Sequence, residues 1–338
     1  MISIANSSPR IALVGCGAIA EKFYLPALAR HPAVMSRLVL VDSSLERAKT
    51  IGRRFHVDQC VTDYRSVLGN VDGAIVATPH KFHFELSNDF LKAGSHVLCE
   101  KPLTETRAEG EQLIASAALA KKTISVNNTR RLFPSSQKIH AMVAAGELGT
   151  LRSIRFHEGG LFAWPTASGF YFASKNTRGV LLDRGAHALD LICWWLGGKP
   201  TMTSSENDSY GGSECVSFTR LTHEECECDV RLSWLSKLDN VVELVGDRGS
   251  LVQKAFEETR ITWKDADGRS RLLQLPSKAA CFDEYAYLLM DNFLDVIADK
   301  AAPLLPAELV LDSLQLINEC YDQARRFEMP WDFAYDQA

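Results

Sequence analysis

A buried-strand pattern, Arg10 to Gly15, runs straight into Gly15-Cys16-Gly17-Ala18-Ile19-Ala20, and a helical pattern from Ala18 to Arg30 follows. A G-x-G-x-x-A sequence that closes a strand and opens a helix admits few folds. Gly15 makes the tight turn, Gly17 lets the backbone approach a pyrophosphate, and the small Ala20 lets helix and strand pack closely. The helix start at Ala18 and Ile19 offers N–H groups and the positive end of its dipole to an anion. Asp42 ends the second strand pattern. A carboxylate there accepts hydrogen bonds from the adenosine ribose and repels a 2′-phosphate. Gly15, Gly17, Ala18, Ile19, Ala20 and Asp42 therefore predict a dinucleotide site that favours NAD. Ser43, Ser44 and Arg47 beside the carboxylate are compatible with NADP as the alternative.

The rest of the first third repeats the strand–helix alternation. Strand patterns at Arg37 to Asp42, Gly73 to Thr78, Ser95 to Glu100 and Thr123 to Asn127 alternate with helical ones at Leu45 to Phe55, Lys81 to Ala93 and Ala108 to Ala120. Such alternation means parallel βαβ units with right-handed crossovers. Near residue 130 the pattern changes. After a helix from Pro134 to about Ala145, period-2 segments appear at Leu151 to His157, Cys215 to Thr222, Cys226 to Trp234, Val241 to Val245 and Arg271 to Leu275. They predict a largely antiparallel sheet. Helices at Asp183 to Leu196, Phe282 to Ala298 and Pro306 to Arg326 are expected to cover one face. The division falls into 1–130, a dinucleotide-binding domain, and 131–338, an α/β domain for substrate binding and oligomerisation.

The 338 residues carry 37 Lys+Arg against 42 Asp+Glu, a net charge of −5, which argues against a nucleic-acid surface. No apolar stretch approaches the ~20 residues of a membrane helix. MISIANSSPR has no charged n-region or apolar h-region, so no signal peptide is evident. Nine scattered cysteines fit reduced thiols and a cytoplasmic location. His223 with Cys226 and Cys228 lacks a second ligand pair at zinc-like spacing, and His80 with His83 lacks a third ligand, so no metal is expected. Packing thiols are the expectation for Cys226 and Cys228.

Two further clusters carry chemistry. Ser95 to Glu100 ends in Glu100-Lys101-Pro102, which sets Lys101 at the carboxyl end of a strand, where open parallel sheets bind ligands. A lysine there can hydrogen-bond a substrate oxygen or assist its proton transfer. Thr78-Pro79-His80, with His83 at the helix start, ends the preceding strand and is expected to line the nicotinamide end of the pocket. Farther on, Asp183 and His187 are i and i+4 on one helix face, and Gly185 between them suggests close packing against the backbone. Asp190 is in position to orient His187. A histidine suits proton abstraction from an alcohol near neutral pH.

The combination resembles the Gfo/Idh/MocA family of oxidoreductases over nearly the whole chain. The resemblance rests on Gly15-x-Gly17-x-x-Ala20, Ala77-Thr78-Pro79-His80-x-x-His83, Ala93-Gly94-x-His96-Val97-Leu98-Cys99-Glu100-Lys101-Pro102, Arg130-Arg131-x-x-Pro134, Gly146-x-x-Gly149 and Gly179-x-x-x-Asp183-x-Gly185-x-His187-x-x-Asp190. It implies a Rossmann domain followed by an α/β domain with an open, predominantly antiparallel sheet, whose outer face builds a homodimer or homotetramer. By the same resemblance Lys101 contacts the reacting oxygen and the cofactor, His187 is the acid/base, and Asp183 positions substrate and tunes that histidine. Two positions depart from the family pattern: His80 stands where asparagine is common, and Arg178 where a glycine is common.

These readings predict hydride transfer between NAD(P) and a secondary alcohol or ketone of a sugar, inositol or related polyol. Catalysis falls to Lys101, Asp183 and His187. Cofactor contacts fall to the glycine motif, Asp42, Thr78, Pro79, His80, His83, Glu100 and Lys101. Substrate contacts add Arg131, Trp164, Tyr171 and Arg178, with Phe170 and Phe172 as further rings for a sugar face. The pocket is expected between the domains. A non-catalytic sugar sensor and a biosynthetic ketosugar or imine reductase are the competing readings. Retention of Lys101, Asp183 and His187 together argues against the sensor.

Overall fold

The computed structural model describes residues 8–165, 169–172, 178–209 and 211–328. The stretch read for a signal peptide lies outside these residues up to residue 7, as do positions 166–168 and the side chain of Phe170. The chain divides into two units. One holds the chain up to Thr129, Pro165 and Lys278–Leu311; the other holds Arg130–Trp164, the chain on to Ser277, and the segment from Asp312.

In the first unit six short runs form a parallel sheet: β1 (Ile11–Val14), β2 (Val39–Val41), β3 (Gln59–Val61), β4 (Gly73–Val76), β5 (His96–Glu100) and β6 (Ile124–Asn127). Their order is β3-β2-β1-β4-β5-β6, with every pair parallel. That is the doubly wound dinucleotide order, whose reversal between β1 and β4 opens a ligand crevice at the strands' carboxyl ends. The central strands β1, β4 and β5 are buried throughout, as their uninterrupted apolar character requires. β3 was not foreseen, because this three-residue edge strand has no fully buried position and so no apolar run.

Local signals set the helices between the strands. Ser44 Oγ accepts from Arg47 N at 3.2 Å to start Leu45–Phe55, and His56 closes that helix in the left-handed region at φ 58°. Thr106 and Glu109 form a reciprocal capping box at the start of Arg107–Ala120. The helix Tyr285–Ile297 corrects the expectation that it covers the antiparallel sheet. It packs on β4: a Cβ on Gly73 would lie 2.6 Å from Ile297 Cδ1 and 3.0 Å from Phe293 Cζ. A side chain at Gly73 would push against the tips of Ile297 and Phe293, and the chain's return at Lys278–Leu311 is absent from a division made at residue 130.

The second unit is built on a nine-stranded sheet of β7 (Leu151–Gly159), β8 (Thr201–Asn207), β9 (Val216–His223), β10 (Cys226–Ser233), β11 (Val241–Gly246), β12 (Gly249–Lys254), β13 (Arg260–Asp265), β14 (Ser270–Gln274) and β15 (Arg325–Arg326). The order is β14-β13-β12-β11-β7-β10-β9-β8-β15. Pairing is antiparallel except for β7 with β10 and β8 with β15. The inner face of the sheet packs with the helix Gly185–Leu196, so that Phe156, Val230, Leu232 and Leu244 share a core with Leu189, Ile192 and Trp195. Burying such side chains contributes roughly 1.5–3 kcal/mol each. Cys226 and Cys228 alternate onto this face and are buried in the core as packing thiols. The C-terminal helix is shorter than expected. It runs Leu311–Asp322, and Arg325 and Arg326 then leave it to pair with Glu206 and Asn207 at the sheet edge.

All nine cysteines are unpaired, and Cys281 is the exposed one. Burial, with the Asp42 carboxylate adding to it, pushes the Cys16 thiol up to about 12. We expect a native-state thiol titration at pH 8 to show one fast equivalent, removed by Cys281→Ser, with Cys16 reacting only on unfolding. Rapid labelling of Cys16 in the folded protein would contradict this burial.

Candidate active site

The carboxyl edge of the first sheet gathers most of the residues singled out from the sequence. Gly15 leaves β1 at φ +96°, and its N–H donates to Val41 O at 2.8 Å. A Cβ there would lie 2.4 Å from Ala77 O, so no other residue fits. Gly17 differs: its Cβ would meet no protein atom within 4 Å, which leaves the face beside the helix start open. The first intrahelical bond, Glu21 N to Gly17 O at 3.1 Å, leaves the N–H groups of Ala18, Ile19 and Ala20 without helical acceptors.

Asp42 is fixed beside this loop. Its Oδ2 accepts from Cys16 N and its Oδ1 from Ser44 N, both at 2.9 Å. Two carboxylate oxygens have about four acceptor sites, so capacity remains for ribose hydroxyls. Across the crevice, the Thr78 hydroxyl after β4 is buried and makes no hydrogen bond among the described residues. Such an orphan is uncommon in folded proteins and calls for a non-protein partner. An open glycine face, free helix-start amides, a fixed carboxylate and an orphaned hydroxyl along one edge suit a dinucleotide. Pro79 and His80 follow Thr78, and His80 opens a short helical turn, His80–Phe82.

Lys101 follows β5 and is partly exposed. Its neighbours Glu100 and His83, both expected to contact the cofactor, turn inward. Glu100 is buried; its Oε1 accepts from Tyr24 Oη and from Asn127 Nδ2, each at 2.7 Å, and its Oε2 from Lys101 N at 3.2 Å. Burial raises its carboxyl, while Tyr24, Asn127 and Lys101 oppose the rise. His83 is also fully buried, with Nδ1 2.7 Å from Pro102 O and Nε2 2.8 Å from Thr78 O. Burial holds its ring below the usual histidine range. An unprotonated His83 ring donates to one of these two carbonyls only; Glu100 and His83 brace the loops that carry Lys101 and Thr78. Tyr24 and Asn127 were missed, because neither lies in a motif and both reach Glu100 only through the fold.

In the second unit, Asp183 ends the helix Val180–Asp183, and His187 lies in the first turn of Gly185–Leu196. Both are partly exposed on an otherwise largely buried helical segment. A Cβ on Gly185 would lie 2.9 Å from Leu181 Cδ1, which confirms close packing at that position. Tyr171 Oη donates to Asp183 Oδ1 at 3.3 Å, and the Tyr171 ring sits among Phe162 and Trp234.

The start of this helical segment is held from elsewhere in the unit by two residues the sequence reading missed. Glu214, 1% exposed, accepts from Gly179 N and Leu181 N, both at 2.9 Å, and its own carbonyl accepts from Val180 N at 2.9 Å. Tyr321 Oη accepts from Leu182 N at 3.1 Å and donates to Glu214 Oε1 at 2.7 Å. A buried carboxylate on a helix start is favoured by the dipole. Arg178 stacks over the Tyr321 ring at 4.7 Å.

Arg131 lies in the second unit, paired with Asp190. It is 6% exposed, its Nε and Nη2 donate to the two Asp190 oxygens at 2.7 and 2.8 Å, and it lies over Trp194 at 4.9 Å. The expected substrate contact of Arg131 and the orientation of His187 by Asp190 are set beside this buried bidentate pair, which engages both Asp190 oxygens. Trp164 is 43% exposed and Phe172 is also exposed.

Comparison with known proteins agrees with this geometry. Residues 9–128 match the model of an oxidoreductase family with an NAD-binding Rossmann fold, and residues 136–252 match the GFO/IDH/MocA C-terminal domain. The Salmonella typhimurium protein YceM is 23% identical over 319 residues, 93% of this chain and 98% of that one. The D-glucoside 3-dehydrogenase of Escherichia coli is 30% identical over 210 residues, 58% of this chain and 57% of that enzyme. The fold also matches the crystal structure of KijD10, a 3-ketoreductase from Actinomadura kijaniata in complex with NADP and TDP-benzene, at a TM-score of 0.80. That match has 23% identity and covers 95% of this chain and 99% of that one. With both of its domains matched and the glycine loop, Asp42 and the Lys101 strand end in place, the chain belongs to the Gfo/Idh/MocA family of NAD(P)-dependent oxidoreductases.

Proposed function

We propose that this oxidoreductase transfers a hydride between NAD and a secondary alcohol or ketone of a sugar, inositol or related polyol. The observation that carries the reading is Lys101, partly exposed at the carboxyl end of β5, on the same sheet edge as the open Gly17 face. Bound there, NAD supplies a hydride acceptor at its nicotinamide. Asp42 holds the adenosine ribose, and Thr78, Pro79 and His80 line the nicotinamide end. In the oxidative direction the substrate carbon loses its hydrogen as hydride and its hydroxyl loses a proton to His187. Lys101 stabilises the alkoxide-like oxygen as charge develops on it. Asp183, at the end of the helix that precedes the one carrying His187, positions substrate and tunes the imidazole. Trp164, Tyr171 and Arg178 contribute to substrate binding. The sugar class is supported by the D-glucoside 3-dehydrogenase among the relatives.

The test is absorbance at the reduced-nicotinamide band, with NAD or NADP and a panel of inositols, aldoses and sugar acids. Turnover on a sugar or polyol is expected. Turnover confined to alcohols without a sugar-like ring would overturn the substrate class. Because Asp42 presents a fixed negative charge, NAD is expected to bind at least about ten times more tightly than NADP. The reverse order in a fluorescence titration would refute the assignment of Asp42.

The same reading includes a homodimer or homotetramer through the outer face of the nine-stranded sheet. Alternation puts Arg155, His157, Asp229, Arg231 and Glu243 on that face, with Arg155 paired to Glu243 and His157 to Asp229. A monomer by light scattering at micromolar concentration would reject it. Nine unpaired cysteines support a reducing, cytoplasmic setting. Among the described residues no helix is long and apolar enough to cross a membrane.

A further inference from the structure

Beside the glycine loop the first unit carries a cleft of about 930 Å³, lined by Ala18, Glu21, Lys22, Arg47 and Arg54 among others. Arg47 lies over the loop itself. Its Nε donates to Cys16 O at 2.7 Å, and the N–H of the same cysteine donates to Asp42 Oδ2 at 2.9 Å. The guanidinium is therefore separated from the ribose-reading carboxylate by one residue of backbone. Its Nη2 donates to Glu21 Oε2 at 3.0 Å, and Arg54 Nη1 pairs with the other oxygen, Glu21 Oε1. One carboxylate thus neutralises two guanidinium groups at the position where a phosphate on the ribose would need them.

From this arrangement we propose that Glu21 is a selectivity residue for the cofactor: it occupies Arg47 and Arg54 and so denies the 2′-phosphate of NADP a cationic partner. The inference rests on the dinucleotide reading above and extends it. Asp42 repels the 2′-phosphate directly. Glu21 acts from the other side, by removing the attraction. Arginine forms paired, charge-assisted bonds to phosphate, and a guanidinium already bonded to a carboxylate must break that pair first. A glutamine at position 21 keeps the size and one acceptor oxygen but not the charge. It leaves Arg47 anchored on Cys16 O with Nη2 able to turn to a phosphate.

The experiment titrates NADH and NADPH, by nicotinamide fluorescence at low salt, into the wild type, Glu21→Gln and the double variant Glu21→Gln/Arg47→Met. Glu21→Gln is expected to bind NADPH about tenfold more tightly than the wild type does, with NADH affinity changed by less than about twofold. The double variant is expected to lose the gain. A wild type that binds NADH while Glu21→Gln leaves NADPH unchanged, or strengthens both cofactors equally, overturns the role of Glu21 alone. A gain that persists without Arg47 also overturns it. A wild type that binds neither nucleotide overturns the cofactor reading itself, and this inference with it.

Discussion

Replacing Lys101 with methionine is expected to lower turnover at least about a hundredfold, the scale of losing one acid/base or oxyanion-stabilising group. Dinucleotide binding is expected to stay within about twofold. The separation follows from the strand end. Glu100 is held by Tyr24 and Asn127 and stays in place whatever side chain follows it. Gly15, Gly17 and Asp42 lie on other strands and do not depend on the ammonium. A loss of kcat with an intact NADH titration shows a group that acts on the reacting oxygen. Near-normal turnover would remove Lys101 from the mechanism. A parallel loss of NADH affinity would make it a cofactor anchor instead.

The second large effect concerns stability. Arg131→Met leaves the Asp190 carboxylate buried and unpaired, and removing one partner of a buried ion pair costs about 3–5 kcal/mol. A clearly lower urea midpoint is expected. Arg131→Met with Asp190→Leu should recover much of it, because the isolated charge is gone. The double variant also separates the ion pair from the substrate role first expected of Arg131. If Arg131 touched substrate, the recovered variant would still show a raised KM. If it only braces the helix from Gly185 to Leu196, KM returns with stability.

What was legible in the sequence was what neighbours in the chain decide. Gly15 and Gly17 could be read because a tight turn and a phosphate approach impose their identity locally. The single helix read through Asp183 and His187 is in fact two, Val180–Asp183 and Gly185–Leu196, broken at Arg184, and their spacing alone could not show that break. The pair formed by Arg131 and Asp190 was not legible, because an arginine in a loop has the same local signature whether it meets a substrate or a carboxylate 59 positions away. Amphipathic periodicity in Tyr285–Ile297 showed that one face is buried but not against which sheet. Its partners, Gly73 and the helix Leu25–Leu28 of the first unit, lie far away in sequence. β3 and β15 escaped because strands of two or three residues at a sheet edge have no pattern long enough to detect, and β8, β12 and β13 escaped because each has only two fully buried positions.

The hold of Glu214 and Tyr321 on the helix start bears on how the chain matures. Leu182 N bonds to a hydroxyl 139 residues later in the chain, and Glu214 reaches that same hydroxyl across 107 residues. During synthesis the segment carrying Asp183 and His187 emerges long before Tyr321. Until the Leu311–Asp322 helix docks, its first turn has amides to satisfy and no partner for them from that helix. Asp183 and His187 would thus be among the last parts of the second unit to reach their final geometry. The first unit waits almost as long, because Lys278–Leu311, with the helix Tyr285–Ile297 beside Gly73, is made only shortly before Tyr321.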